Sequence, residues 1–276
     1  MKLNHSTKLK RSLRSAALLS LSAVVAAPAF AHTSYLKPTT FSTTRGNMVT
    51  LQCSFTENFS NPEIAVKSQD FHYYTPSGER RDYDNIVTLR QITLLEQAIE
   101  EEGTYRFSTG ERLGRKGTIL VLRDRTEKRL FGEAAKNPEV PEGGKIVTTQ
   151  TATVADVYVT KGAPTDGATN VDIGRLVLRP AVHPNEIYLD EPLEVTVSFD
   201  GQLLKDQTMS LYREAGEFDA DKGKSELKTD ANGVVTIPFQ EAGVYLLYTR
   251  HKADAPAGSE TDRRSYTTSL TFEVTP

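Results

Sequence analysis

Downstream of residue 31 the chain carries four histidines, His32, His72, His183 and His251, and one cysteine, Cys53. Imidazole and amine nitrogens are natural donors for Ni, Co, Cu and Zn. No histidine pair has a metal-binding spacing such as His-x-His or His-x3-His, so position must select among them. His32 is the sharpest case. Cleavage after Ala31 exposes an α-amine on the residue that also bears an imidazole, and amine N and ring Nδ1 can close one chelate ring on a metal. The amine is accessible as a donor because its reference pKa is only about 7.7–8.0. His183 lies between Val182 and Pro184, ahead of a turn. His251 follows the strand-like run Tyr245–Arg250, at a rim where loops build sites. His72 is flanked by Phe71, Tyr73 and Tyr74, a setting for a packed ring. The expected metal ligands are therefore His32, His183, His251 and His72. Asp70, Glu57 and Asp262 are the carboxylates at hand.

The mature methionines are Met48 and Met209, too few for soft Cu(I) storage. An N-donor site for a divalent transition metal (Ni, Co or Cu) fits these ligands better than a Cys-rich zinc site. Nucleophilic hydrolysis has little support. There is no Gly-x-Ser-x-Gly elbow, and Cys53 falls inside a strand pattern. The glycine-spaced loop Gly110–Gly117 lacks the Gly-Lys-Ser/Thr ending of a phosphate loop. Asp230-Ala231-Asn232-Gly233 lacks the spaced acids of an EF-hand and reads as a hairpin turn. No catalytic residue is expected, and the protein is read as a non-enzyme.

The role of His32 rests on export. Lys2, Lys8, Lys10, Arg11 and Arg14 open the chain with no acid among them, and Ser15–Phe30 is small and apolar. Ala29-Phe30-Ala31 supplies the small residues of a cleavage site, so residues 1–31 read as a removable signal and the mature protein as periplasmic. Losing five basic and no acidic residues moves the net charge from −3 to −8. That charge argues against a nucleic-acid partner. No later segment is apolar enough to insert in a membrane. A single cysteine rules out an internal disulfide.

The elements that would position such a site come in two copies. The first opens with Leu36-Lys37-Pro38 and continues with the alternating run Val49–Phe55. The second opens with Leu178-Arg179-Pro180 and continues with Leu193–Phe199. Apolar residues at every second position are the mark of a strand with one buried face. Cys53 aligns with Val197 and reads as a small buried hydrophobe. Each copy then shows an acid, a glycine and a tyrosine at alternate positions: Glu101, Gly103, Tyr105 and Glu241, Gly243, Tyr245. That is the pattern of the tyrosine corner of immunoglobulin-like sandwiches. Thr75-Pro76-Ser77-Gly78 and Phe199-Asp200-Gly201-Gln202 read as hairpin turns. The expected fold class is all-β: two immunoglobulin-like or transthyretin-like β-sandwich domains in tandem, residues 32–168 and 169–276. A charged, irregular or helical excursion over 124–145 is expected on the first domain or at the interface between the two, with a short helix within Glu127–Lys136.

Ala31-His32 with Tyr35-Leu36-x-Pro38, Val182-His183-Pro184-Asn185, Glu191-Pro192, Phe199-Asp200-Gly201, Glu241–Tyr245, Ser265-Tyr266 and Leu270-Thr271-Phe272 together resemble a known exported family. Its members are of unknown function and are labelled periplasmic nickel/cobalt-transport-associated proteins. The resemblance covers essentially the whole mature chain. It implies periplasmic handling of a divalent transition metal in uptake, with a membrane metal transporter or an outer-membrane receptor as partner. Two other functions compete. One is a copper histidine-brace protein, disfavoured by the absence of Trp and of a disulfide. The other is a non-enzymatic envelope interaction module that offers edge strands for β-augmentation.

Overall fold

The computed structural model describes residues 32–59, 61–214 and 224–276. The expected signal segment, residues 1–31, lies outside them. In the N-terminal half the strands are β1 (Thr33–Pro38), β2 (Ser42–Thr43), β3 (Met48–Thr56), β4 (Ile64–Ala65), β5 (His72–Tyr74), β6 (Arg80–Asp82), β7 (Asn85–Thr88), β8 (Thr93–Ala98) and β9 (Gly103–Ser108). Next come β10 (Arg112–Val121), β11 (Glu127–Leu130), the short helix α1 (Gly132–Lys136) and the long β12 (Lys145–Lys161). The C-terminal half holds β13 (Leu176–Pro180), β14 (Leu193–Phe199), β15 (Gln202–Leu203), β16 (Thr208–Arg213), β17 (Lys224–Lys228), β18 (Val234–Ile237), β19 (Gly243–Asp254) and β20 (Arg263–Val274). The fold is all-β, with two face-to-face sandwiches.

Each sandwich packs a small sheet against part of one large one. β1-β3-β8-β7 form the first small sheet, and β13-β14-β15 with β18 form the second. The large sheet runs β17-β16-β19-β20-β12-β9-β5-β6 and so passes through both halves. The alternation read from sequence is what fills the layers. Leu36, Val49, Leu51, Cys53 and Leu95 meet Tyr73, Tyr105, Phe107, Val157 and Val159 in one core. Leu178, Leu193, Val195, Val197 and Val235 meet Met209, Leu211, Tyr245, Leu247 and Phe272 in the other. Cys53 is fully buried, and burial pushes its thiol pKa far up.

The repeat is visible in the register. Leu36 pairs with Cys53 and Pro38 with Leu51; Leu178 pairs with Val197 and Pro180 with Val195. The corners match as well. The Tyr105 hydroxyl bonds the Glu101 carbonyl at 3.1 Å and accepts from the Glu101 N–H at 2.9 Å. The Tyr245 hydroxyl donates to the Glu241 carbonyl at 2.6 Å. Gly103 and Gly243 hold φ of 125° and 141°, a region where a side chain is strained, so the glycine of each corner is required by its backbone.

What joins the halves is less evident from sequence. β12 and β20, each the last strand of its copy, pair in parallel from Thr149↔Arg263 to Val157↔Thr271. A small third core, Tyr35, Phe59 and Leu246, packs β1 against β19. β1 is therefore buried on both faces, Leu36 into its own sandwich and Tyr35 toward the other half. Residues 31–276 form a single compact unit. The excursion differs in detail from its sequence reading. Glu127–Leu130 is strand, because it pairs with Thr118–Val121 across a turn at Arg125, and the helix is confined to Gly132–Lys136.

Candidate functional site

His32 stands just before β1, beyond the last rung of the ladder, where Thr33 pairs with Thr56. That placement sets its imidazole against the loop that follows β3. Nε2 lies 2.9 Å from Glu63 Oε2 and 3.7 Å from Glu57 Oε1. The two carboxylates are tied to one frame, since the Glu57 N–H donates to Glu63 Oε1 at 2.7 Å. The loop is anchored from below. The Thr56 hydroxyl bonds the Asn61 carbonyl at 2.8 Å, and the Phe59 ring meets Tyr35 edge-on at 5.5 Å between centroids. The side chains of His32, Glu57 and Glu63 are 37%, 46% and 30% exposed, so the group opens to solvent.

The engaged nitrogen is Nε2. Among the described residues no hydrogen bond engages Nδ1. A ring whose Nε2–H is held by a carboxylate presents Nδ1 as its lone-pair nitrogen, and such outer carboxylates commonly fix the orientation of metal-bound imidazoles. Beside this group the Tyr212 and Tyr248 rings stack at 5.7 Å, with the Lys224 ammonium 5.5 Å from the Tyr212 ring. Burial, the Tyr248 contact and the charge of Glu57 push the Tyr212 hydroxyl pKa up. For Tyr248 burial raises the pKa, but hydrogen bonds from Ser210, Tyr212 and Thr33, with the Lys224 charge, bring it below the ordinary tyrosine value.

The other three histidines are held in separate places. His72 is buried, with Nδ1 donating to the Asp70 carbonyl at 2.6 Å and its ring edge-on to Tyr74. Its Nε2 is buried without a hydrogen-bond partner. His183 accepts from the Asn185 N–H at Nδ1 (3.2 Å), and its Nε2 faces Thr104 Oγ1 at 2.9 Å and the Thr165 carbonyl at 3.3 Å. Both its nitrogens are therefore occupied in tying the linker after β12 to β9. His251 packs on Phe199 at 4.7 Å, with Nδ1 3.3 Å from Gln207 Oε1. Burial and then the nearby Arg175 charge lower its pKa, favouring the neutral ring. Among the described residues no three His, Cys, Asp or Glu side chains gather as a metal set.

Of the carboxylates named from sequence, Glu57 is at the His32 site. Asp70 is gripped by Arg80, and Asp262 receives the Thr148 N–H and hydroxyl. Sequence reasoning missed Glu63. It reaches His32 only because the loop after β3 folds back onto β4, and no spacing announces that.

The family model described as a domain of unknown function, DUF4198, matches residues 29–253. The chain belongs to that family. The match takes in the His32 group, the corner at Gly103–Tyr105 and most of the second sandwich. No curated protein matches the chain. Among solved structures it is similar to the D0-D1 domain of Intimin at 11% identity and a TM-score of 0.21, covering 86% of this chain and 96% of that one. It is also similar to the Yersinia pseudotuberculosis adhesin InvE at 13% identity and 0.21, covering 87% and 58%. The chicken CNTN1 FN1-FN3 domains follow at 8% and 0.22, covering 89% and 100%. No helix of the described residues is long and apolar enough to cross a membrane.

Proposed function

We propose that this family member is an exported, non-enzymatic protein that binds a divalent transition metal of the nickel/cobalt type at the N-terminus of its processed chain, in the service of uptake. The proposed ligands are the α-amine and Nδ1 of His32. Glu63, with Glu57 beside it, holds Nε2 from outside the coordination sphere. The observation that carries the reading is the 2.9 Å contact of Nε2 with Glu63. With Nε2 engaged by that carboxylate, Nδ1 is the nitrogen left for chelation. The acidic surroundings favour a cation, and the exposure of the group leaves room for solvent or a partner to complete the coordination. Handover to a membrane transporter or an outer-membrane receptor is the partner role that fits a site at a free terminus.

The test is calorimetric titration of the processed protein, with its N-terminus checked by mass spectrometry, against Ni(II), Co(II), Cu(II) and Zn(II). One glycine added before His32 breaks the amine–Nδ1 ring and should cost at least ~100-fold in affinity. Glu63→Gln should cost about 10- to 100-fold, the usual range for an outer-shell partner. Unchanged affinity in the glycine-extended protein would remove His32 from the site.

A further inference from the structure

The hairpin of β10 and β11, with the helix after it, adds little to either core. Residues 121–146 include no buried residue, and α1 buries none of its side chains. Polar contacts at the flanks hold the hairpin instead. Lys116 pairs with Glu260, and Glu127 with both Lys252 and Arg263. Arg112 lies over the Phe55 ring and donates to the Lys67 carbonyl at 2.7 Å.

The charge of this hairpin is opposite to that of the rest of the molecule. Residues 112–131 hold seven Lys and Arg against two acids, Asp124 and Glu127. The hairpin is thus +5 in a processed chain of −8, and the remainder carries −13. Both acids are already engaged. Glu127 is taken by Lys252 and Arg263 from outside the hairpin, and Asp124 accepts the Thr126 N–H of its own turn at 2.9 Å. Arg115, Arg123, Arg125, Lys128 and Arg129 are exposed and form no ion pair among the described residues. Phe131 closes the hairpin. It is 70% exposed, more than any other large apolar side chain among the described residues. The Arg129 guanidinium lies over its ring at 5.4 Å, so cation and ring share one face.

We propose that the β10–β11 hairpin docks the protein on an anionic lipid bilayer, with its cations among the headgroup phosphates and the Phe131 ring at the boundary of the acyl chains. Charge complementarity and the exposed ring together select this occupant. A bilayer rewards both kinds of group at once, offering phosphate to the cations and hydrocarbon to the ring. A soluble polyanion, or the acidic face of a second copy, would answer the cations alone. The stems of Arg and Lys can lie along the apolar layer while their heads stay among the phosphates. The same surface repels the −13 of the remaining molecule, so the hairpin is the part that meets it. The contact is peripheral, made by one ring and a few cations, and no helix of the described residues is long and apolar enough to span. It does not depend on metal binding at His32.

The chain contains no tryptophan, so Phe131→Trp in the full processed chain is a single reporter of the contact. Its emission should shift to the blue, and be quenched by brominated acyl chains, on vesicles of phosphatidylglycerol with phosphatidylcholine. Pure phosphatidylcholine vesicles should give no shift. Leu203→Trp, an exposed site on the other sandwich, should respond to neither. In co-sedimentation with the anionic vesicles, Arg123→Gln with Lys128→Gln should lower wild-type affinity about 25-fold, at about fivefold per cation. Phe131→Ser should lower it about tenfold. Unchanged urea midpoints in these exposed variants show that the fold is intact. Equal sedimentation of the wild type with anionic and pure phosphatidylcholine vesicles would overturn the proposal, as would an equal shift of Phe131→Trp and Leu203→Trp. Binding of dextran sulfate with no response to vesicles would assign the hairpin to soluble polyanions. A lipid-free dimer dissociated by the paired Gln exchange, again with no response to vesicles, would assign it to a second copy. Either result overturns the bilayer as occupant.

Discussion

The two sandwiches are copies of one design, and one equivalent place shows how they diverge. Alignment of β1–β3 with β13–β14 sets Thr33 on Arg175 and Thr56 on Asp200. In the second copy β14 turns into β15 through two residues, Asp200 and Gly201, both at positive φ. Arg175 clamps that end. Its Nε donates to Asp200 Oδ1 at 2.7 Å, its Nη2 bonds Oδ2, and its Nη1 reaches the Tyr266 hydroxyl at 2.6 Å. The guanidinium lies over Phe199 at 4.5 Å and Tyr266 at 5.1 Å. In the first copy the short turn is replaced by the loop 57–63, and the clamp by an imidazole facing two carboxylates. One copy uses this end of the sandwich to lock itself. The other leaves it open and lined with donors. Both pairs are similarly exposed, so the copies differ here in chemistry and not in burial: a guanidinium stacked on two rings in one, an imidazole beside two carboxylates in the other.

The largest expected effect separates the two ends by metal affinity. His32→Ala in the processed protein should abolish high-affinity Ni(II) binding, a loss of at least ~100-fold. His251→Ala, at the clamped end, should leave affinity within about twofold. Isothermal titration of both variants decides it. A loss on His251→Ala comparable to that on His32→Ala would break the comparison, since both ends would then carry ligands.

Next in size is the clamp. Arg175→Ala removes a two-pronged ion pair, a bond to a nearly buried tyrosine and two cation–π contacts. The pair is partly exposed, so its Coulombic part is modest, and most of the loss is packing and hydrogen bonding. A destabilisation of about 2 kcal/mol is expected in urea unfolding, with Arg175→Lys recovering less than half because the planar fork is lost. Glu63→Gln, at the open end, should change stability by less than about 0.5 kcal/mol.

Much of this arrangement was legible in the residues. The Leu-x-Pro starts, the alternating runs and the paired Glu-x-Gly-x-Tyr corners gave the sandwiches, because each is a local pattern with a local cause. The parallel pairing of β12 with β20 was not legible. Parallel contacts between strands more than a hundred residues apart leave no short-range signature, and β12 reads as an ordinary strand. The site was half legible. His32 stands out by its position after Ala31, whereas Glu57 was one of three carboxylates that nothing in the sequence separates from the many other acids. Glu63 enters through a loop conformation set by Phe59 and Thr56, which no spacing encodes. The burial of His72 was foreshadowed by its aromatic neighbours. The bonding of His183 to Thr104 was not, since that partner comes from a distant strand.

The corners sharpen the comparison on a finer scale. Tyr105 both donates to and accepts from the backbone of Glu101, whereas Tyr245 makes one bond, to the Glu241 carbonyl. Tyr105→Phe strands both a carbonyl and an N–H, so a loss of about 1.5 kcal/mol is expected, against about 1 kcal/mol for Tyr245→Phe. Equal losses would show that the second bond of Tyr105 is readily replaced by water.

The smallest effect is a pH dependence confined to the clamped end. Hydrogen bonds from Arg175 hold the Asp200 carboxyl below the usual aspartate range, outweighing a slight desolvation in the other direction. A carboxyl depressed in the folded state stabilises the fold at pH values above its unfolded pKa of about 3.9. That contribution disappears as pH falls through the lower, folded value and the carboxylate takes up a proton. Wild type and Asp200→Asn should therefore differ in Tm at pH 6 and converge only as pH falls through the depressed folded value. Other carboxylates titrate over the same range in both proteins and cancel in the difference. A Tm difference between wild type and Asp200→Asn that stayed constant as pH fell would mean that the Arg175 clamp does not act through the charge of Asp200.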